Sequence, residues 1–283
     1  MIKTEEEILR NLKLVVLDLD GTILDNENNI SKETINLITK LKDKGLKFTI
    51  ASARYLSSFL DYIKLLNIDL PVICLDGSVI INPITGEYIN ELFIPAKYVL
   101  RSIKMSEKYS LNFLLFCKDG IYYNKNSYVI ESLLHKYGTE YKLINFINNC
   151  VNETYEVIIT GNEFENLKKV KRKMIFPYTY GIQASIYKSR KDNGNNFLEI
   201  KKIGVNKGMA LKKLCNYLDI KIKNTAVVGD WYNDISLFNT NAFKVAMANA
   251  VPEIKKLADI TTTKSNNEDG INEFLNLLLE LKS

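Results

Sequence analysis

Two short stretches of this chain carry carboxylates at spacings that can do chemistry. The first is Asp18-Leu19-Asp20-Gly21-Thr22, directly after the apolar run Leu14–Leu17. Side chains alternate along a strand, so Asp18 and Asp20 lie on one side of the chain at the strand's end. Two carboxylates that close repel, and burial sharpens the repulsion. Either one takes a proton or a cation sits between them. Gly21 lets the backbone turn where a side chain would obstruct. The second stretch is Gly229-Asp230-Trp231-Tyr232-Asn233-Asp234, after Thr225–Val228. Two carboxylates around a strand-to-helix turn can reach one hard cation. Magnesium suits them, because it seeks oxygen and keeps several of its waters.

Two further groups stand at comparable places. Ser52 follows the short apolar run Lys47–Ala51 and precedes a helical stretch. A hydroxyl at a helix start can hold a phosphate oxygen or simply cap the helix. Lys207, in Gly204-Val205-Asn206-Lys207-Gly208, opens a helix, where a cation opposes the helix dipole. A bound anion would offset that cost, and a solvated surface lysine would need no anion. The chain has one histidine, His135, which leaves serine–histidine catalysis and histidine-based zinc sites little to work with. Carboxylate and lysine chemistry remains.

The elements that must position these groups follow from periodicity. Ser31–Lys44 reads as an amphipathic helix, with Ile35, Ile38 and Leu41 on one stripe and Gly45 after it. Val72–Leu75 reads as a third strand, closed by Asp76-Gly77. Strands alternating with helices imply right-handed βαβ units and a parallel sheet. From about Pro83 the pattern changes. Strand-like Glu87–Phe93 leads to a helix at Ala96–Tyr109, then Leu111–Cys117 and Ile121–Asn124 flank the hairpin signal Lys118-Asp119-Gly120. A helix around Tyr128–Tyr137, a strand at Glu156–Thr160 and a basic helix at Glu163–Lys173 follow. Tyr180–Tyr187 and Asn196–Ile200 flank Asn193-Gly194, a second hairpin. The alternation then returns: helix Lys207–Leu218, strand Thr225–Val228, helix Asn233–Asn239, strand Lys244–Ala246, and helices Pro252–Leu257 and Gly270–Leu281. The expected fold is α/β: a Rossmann-like parallel sheet with helices on both faces, interrupted by an α+β insert with a largely antiparallel sheet. Its segments are residues 1–83, 84–200 and 201–283. In such a sheet, ligands bind beyond the carboxyl ends of the strands, where Asp18, Ser52 and Asp230 fall.

These motifs, in this order, resemble those of the haloacid dehalogenase (HAD) superfamily of phosphotransferases. Met247–Ala250 and Asn266–Gly270, with the insertion point, resemble its Cof-type branch, subfamily IIB. The resemblance implies a phosphatase acting on small phosphomonoesters, sugar phosphates by default, through an aspartyl-phosphate. It implies Asp18 as nucleophile and Asp20 as acid and base. Magnesium would be held by Asp18, the Asp20 backbone carbonyl and Asp230, with Asp234 as ligand or support. Leu19, through its backbone amide, with Ser52, Lys207 and Asn233, would hold the phosphoryl oxygens. The insert would be a cap that selects substrate, with Lys118, Asp119, Tyr122, Lys188 and Arg190 at its hairpin ends, and Arg54, Asp76 and Gly77 contributing from the core. Two positions depart from the pattern: Ala53 replaces a usual glycine and Asp76 a usual asparagine.

Composition sets outer bounds. With 283 residues, 46% apolar and 25% charged, the chain is long enough for two domains of ordinary globular make-up. A net charge of +5 is mild and spread out, which suits an anionic small molecule and not nucleic acid. No apolar run approaches a membrane span, the opening residues do not form a signal peptide, and the four cysteines form no CxxC pair. A cytoplasmic protein with reduced thiols is expected. Nothing in the sequence fixes an oligomeric state. A phosphohexose mutase on the same fold is the alternative enzyme. A phosphorylatable signalling or binding module is the alternative of another class, and a dehalogenase is disfavoured by Asp20.

Overall fold

A computed structural model describes residues 5–125, 131, 141–143, 150–161, 163–176, 180–188 and 195–282. They form two compact units: Met1–Ala53, Leu60–Asn90 and Asn206–Ser283 in the first, Arg54–Phe59 and Glu91–Val205 in the second.

The first unit is built on a five-stranded parallel sheet. β1 (Leu14–Leu17) lies between β2 (Lys47–Ile50) and β12 (Thr225–Gly229), and β13 (Phe243–Ala246) and β14 (Ile260–Thr261) extend it past β12. All four residues of β1 are buried, as a strand covered on both faces requires. Leu17 stands level with Val228 on one side and Ile50 on the other. The residues just past them, Asp18, Gly229-Asp230 and Ala51-Ser52, therefore emerge at one end of the sheet. Helices Lys32–Asp43, Lys207–Tyr217 and Ile271–Leu281 bury apolar stripes, among them Leu37, Leu41, Leu211, Leu214, Phe274 and Leu278. Ser31 caps the first of these, its hydroxyl accepting from the Thr34 amide at 3.1 Å.

β3 (Val72–Cys74) touches the parallel sheet through a single bridge, Ala51 to Ile73, and then pairs antiparallel with β4 (Val79–Ile81); β5 (Tyr88–Glu91) follows in the same small sheet. Neither β4 nor β14 is apparent from the sequence. The helix expected directly after Ser52 begins later, as a single 3-10 turn at Leu56–Phe59, and becomes α-helical only at Leu60. Ser52 is therefore not a helix cap. Tertiary contact overrides the local signal: the Tyr55 hydroxyl donates to the Cys117 carbonyl at 2.9 Å, and its ring stands 6.5 Å from that of Phe116.

The second unit is a six-stranded sheet. Its order is β10 (Ile182–Lys188), β11 (Asn196–Lys202), β9 (Thr154–Thr160), β6 (Asn112–Cys117), β7 (Gly120–Tyr123) and β8 (Tyr141–Leu143). All pairs are antiparallel except β7 with β8. Helices Ala96–Lys108 and Phe164–Ile175 bury Val99, Ile103, Leu167 and Val170 in the core that also holds Leu115, Val157, Ile159 and Leu198. Cys117 pairs with Gly120, so Lys118-Asp119 is a two-residue hairpin turn. Of the helix expected at 128–137 only Glu131 is described, and it is helical; the Asn193-Gly194 turn and His135 lie outside the described residues. Among the described residues, no helix is long and apolar enough to cross a membrane.

Candidate active site

The carboxyl end of the parallel sheet gathers three carboxylates and one ammonium. Lys207 is fully buried, and its Nζ lies 2.6 Å from Asp18 Oδ1 and 2.7 Å from Asp234 Oδ1. Two local features place it. Asn206 caps the helix, its side chain accepting from the Met209 amide at 2.8 Å. Gly208 then lets the helix press against Ser236, since a Cβ there would lie 2.1 Å from the Ser236 carbonyl oxygen. Lys207 thus spends its charge on two carboxylates, not on solvent.

The other oxygen of Asp234 accepts from the backbone amides of Asp230 at 3.1 Å and Trp231 at 3.2 Å. Asp234 therefore ties the turn after β12 to Lys207. Asp230 accepts from Thr22 Oγ1 and Asn249 Nδ2, each at 3.4 Å. Asn249 also donates to the Gly21 carbonyl at 2.7 Å and accepts from the Asn266 amide, while Asn266 Nδ2 donates to the Leu24 carbonyl at 2.8 Å. The segments Met247–Ala250 and Asn266–Gly270 thereby clasp the loop after β1. No catalytic role is legible for Thr22, Asn249 or Asn266 in the sequence alone, because they act through other residues.

Ligand oxygens of Asp18, Asp230 and Asp234 lie within 4.8 Å of one another, all buried. The Asp20 carboxylate is not in this group, and Asp20 is half-buried on the loop that follows. Burial pushes the Asp18 carboxyl well above the usual carboxylate range; Lys207 opposes the shift, and Asp234 and Asp230 add to it. Burial alone would lower Lys207, but Asp18, Asp234 and Asp76 outweigh it and hold the ammonium above its ordinary range. Three carboxylates against one ammonium leave excess negative charge in a buried place. An all-oxygen donor set of that charge fits a hard divalent cation.

Gly21 is required at this point. Its φ is +85°, and a Cβ would come within 2.5 Å of Asp230 Oδ2. Gly45 shares the conformation, with φ +84°, but has nothing within 4 Å. Gly21→Ala should lose at least about 1 kcal/mol of stability and most hydrolytic activity, whereas Gly45→Ala should keep its activity. Thermal denaturation and turnover of both variants check this; equal losses would mean that the contact with Asp230 is unimportant.

The remaining expected residues fall as follows. Ser52 is buried, and its carbonyl accepts from the Asp76 amide at 3.1 Å. Asn233 Nδ2 donates to Asp76 Oδ1 at 3.0 Å. Gly77, with φ +105°, packs where a Cβ would meet the Asn206 carbonyl at 2.6 Å. Leu19 is buried, and its carbonyl accepts from the amides of Thr22 and Leu24. In the second unit, Arg54 is buried with its guanidinium 3.5 Å from the Ser58 carbonyl, and Lys118 pairs with Glu91 at 2.9 Å. Asp119 accepts from the Tyr122 hydroxyl at 2.6 Å, which pushes that phenol up. Lys188 is exposed at the end of β10, and Arg190 lies outside the described residues.

Residues 15–275 match the model of the haloacid dehalogenase-like hydrolases. The chain is 27% identical to the 5-amino-6-(5-phospho-D-ribitylamino)uracil phosphatase YitU of Bacillus subtilis, over 93% of this chain and 96% of that one. A haloacid dehalogenase-like hydrolase of Bacteroides thetaiotaomicron superposes with a TM-score of 0.81 at 24% identity, covering 94% of this chain and 98% of its own. A sugar phosphatase described as HAD subclass IIB shares the fold, with a TM-score of 0.76 at 24% identity, over 93% and 98% of the two chains. The chain belongs to the haloacid dehalogenase-like hydrolase family and is an enzyme of that family.

Proposed function

We propose that this hydrolase is a magnesium-dependent phosphatase that passes the phosphoryl group of small phosphomonoesters through Asp18 to water. The observation that carries this reading is the buried Asp18–Lys207–Asp234 bridge with Asp230 beside it, at the ligand-binding end of the sheet. A carboxylate oxygen of Asp18 bonds to phosphorus as the ester P–O bond breaks, and Asp20 gives its proton to the leaving oxygen. Asp20 then takes a proton from water, whose oxygen attacks phosphorus and breaks the bond to Asp18. A protonated Asp18 would be no nucleophile. Lys207 opposes the burial that favours the proton. Lys207, Ser52, Asn233 and the Leu19 amide hold the phosphoryl oxygens, which is most of what phosphoryl transfer asks of a protein. Asp18, Asp230 and the Asp20 carbonyl are the groups that would hold magnesium, with Asp234 in support. Once bound, the ion supplies positive charge for the phosphoryl oxygens and for the carboxylates.

The substrate class is a small phosphorylated metabolite. YitU, by its name, acts on a phosphorylated ribityl compound. The insert of residues 84–200 is assigned the choice among such compounds, with Arg54, Gly77, Lys118, Asp119, Tyr122, Lys188 and Arg190 as the residues to vary. Purified protein should hydrolyse p-nitrophenyl phosphate with magnesium, and exhaustive chelation should lower the rate on the order of a hundredfold or more. Undiminished turnover in chelator would remove the metal from the mechanism. No turnover of any phosphomonoester would remove the phosphatase reading.

A further inference from the structure

The turn after β3 is strained, and the strain delivers a carboxylate. Leu75, Asp76 and Gly77 have φ values of 47°, 51° and 105°, three consecutive residues in the left-handed region. Aspartate tolerates that region, but a leucine there costs about 1–2 kcal/mol. Backbone contacts hold the turn on two sides: the Asp76 amide donates to the Ser52 carbonyl at 3.1 Å, and Gly77 presses on the carbonyl of Asn206, the residue before Lys207. The turn is wedged between two groups assigned to the phosphoryl oxygens. From it, Asp76 Oδ1 accepts from Nδ2 of a third, Asn233, at 3.0 Å.

The residue type is informative. Asparagine adopts the left-handed region at least as readily as aspartate, so the backbone does not demand an acid here. An acid adds negative charge to a site already rich in it. What aspartate offers and asparagine does not is a group that only accepts. An asparagine at this position could face Asn233 with either its oxygen or its nitrogen. Aspartate admits only the Asn233 amide nitrogen, and a charged acceptor strengthens the bond. The second hydrogen of that nitrogen is left for an anion's oxygen.

We propose that Asp76 is a positioning residue of the phosphoryl site: it fixes the Asn233 carboxamide with one N–H offered to a phosphoryl oxygen, and its charge keeps orthophosphate from being held tightly. This rests on the phosphatase reading. Asp76→Asn should lower kcat for p-nitrophenyl phosphate about tenfold, the worth of one oriented charge-assisted hydrogen bond. It should also lower the inhibition constant of orthophosphate severalfold, because a repelling charge is gone. A merely structural role would not tighten orthophosphate binding. Asn233→Ala should lower kcat by a similar factor, and the double variant Asp76→Asn/Asn233→Ala should be no slower than Asn233→Ala alone. Asp76→Asn keeps the turn's preferred residue class, so its melting temperature should stay near the parent's. If the parent protein turns over but Asp76→Asn matches it in kcat and in orthophosphate inhibition, this inference fails and the phosphatase reading stands. The inference fails equally if the two kcat effects multiply in the double variant. A parent protein that neither turns over nor is inhibited by orthophosphate overturns both.

Discussion

Replacing Asp18 with asparagine should cut turnover by about four orders of magnitude or more while leaving the protein folded. The side chain keeps its size and an oxygen facing Lys207, but it loses the nucleophile, so no phosphoenzyme should form with any substrate. Asp20→Asn should behave differently. With p-nitrophenyl phosphate the leaving group needs no proton, so the first step survives, while the second lacks the base that activates water. That variant should accumulate aspartyl-phosphate, visible by mass spectrometry after rapid acid quench as an adduct on Asp18. An adduct on Asp20, or a phosphorylated Asp18→Asn protein, would reverse the assignment. Stability gives a second readout. Burial raises the folded-state affinity of Asp18 for its proton above that of the unfolded chain, whose carboxyl titrates near pH 3.9. The folded protein then binds the proton more tightly, so this group's contribution falls as pH rises from about 4 towards the raised value. In chelator at pH 7, Asp18→Asn should be at least as stable as the parent. That advantage should shrink as pH is lowered towards 4.

What the sequence made legible were groups whose function lies in their own side chains. Asp18, Lys207, Asp230 and Asp234 each sit beside a glycine or at an element boundary, and the apolar runs before Asp18 and Asp230 are buried strands. The parallel core and the inserted, mostly antiparallel sheet were legible for the same reason: the hydrophobic period changes where the architecture changes. Strand register then does what no single motif can, bringing residues some two hundred positions apart to one sheet end.

What stayed hidden depends on long-range geometry. The segments that hold Asn249 and Asn266 stand out in the sequence, but the partners of these two side chains do not, and only the fold aims them at Gly21, Asp230 and Leu24. Tyr55 looked like part of a helix, yet its hydroxyl is used by the carbonyls of Cys117 and Lys118. Left-handed leucine cannot be read from composition, so the turn at Leu75 carried no warning. Lys207 shows the limit from the other direction. Its place at a helix start marked it as unusual, but a solvated lysine fits the same sequence, and only its full burial between two carboxylates separates the readings.

Lys207→Met should therefore be among the most destabilising single changes in the first unit. Methionine fills a similar volume, so the change removes charge with little loss of packing. It leaves Asp18, Asp230 and Asp234 buried within 4.8 Å of one another with no cation among them. Removing one partner of a buried ion pair costs about 3–5 kcal/mol, because the remaining charge is left uncompensated. In chelator the variant should melt well below the parent. Two additions should recover part of the loss by different routes. Magnesium should raise the variant's melting temperature more than the parent's, since it would meet a larger excess of carboxylate. The double variant Lys207→Met/Asp234→Asn should recover stability without metal, because asparagine's oxygen can still accept from the Asp230 and Trp231 amides while its charge is gone. Neither route should restore turnover, since the ammonium that held Asp18 and the phosphoryl oxygens is absent from both. A Lys207→Met protein that melts with the parent in chelator would show that the three carboxylates share protons and need no cation, and the electrostatic case for a divalent ion at this site would fall with it.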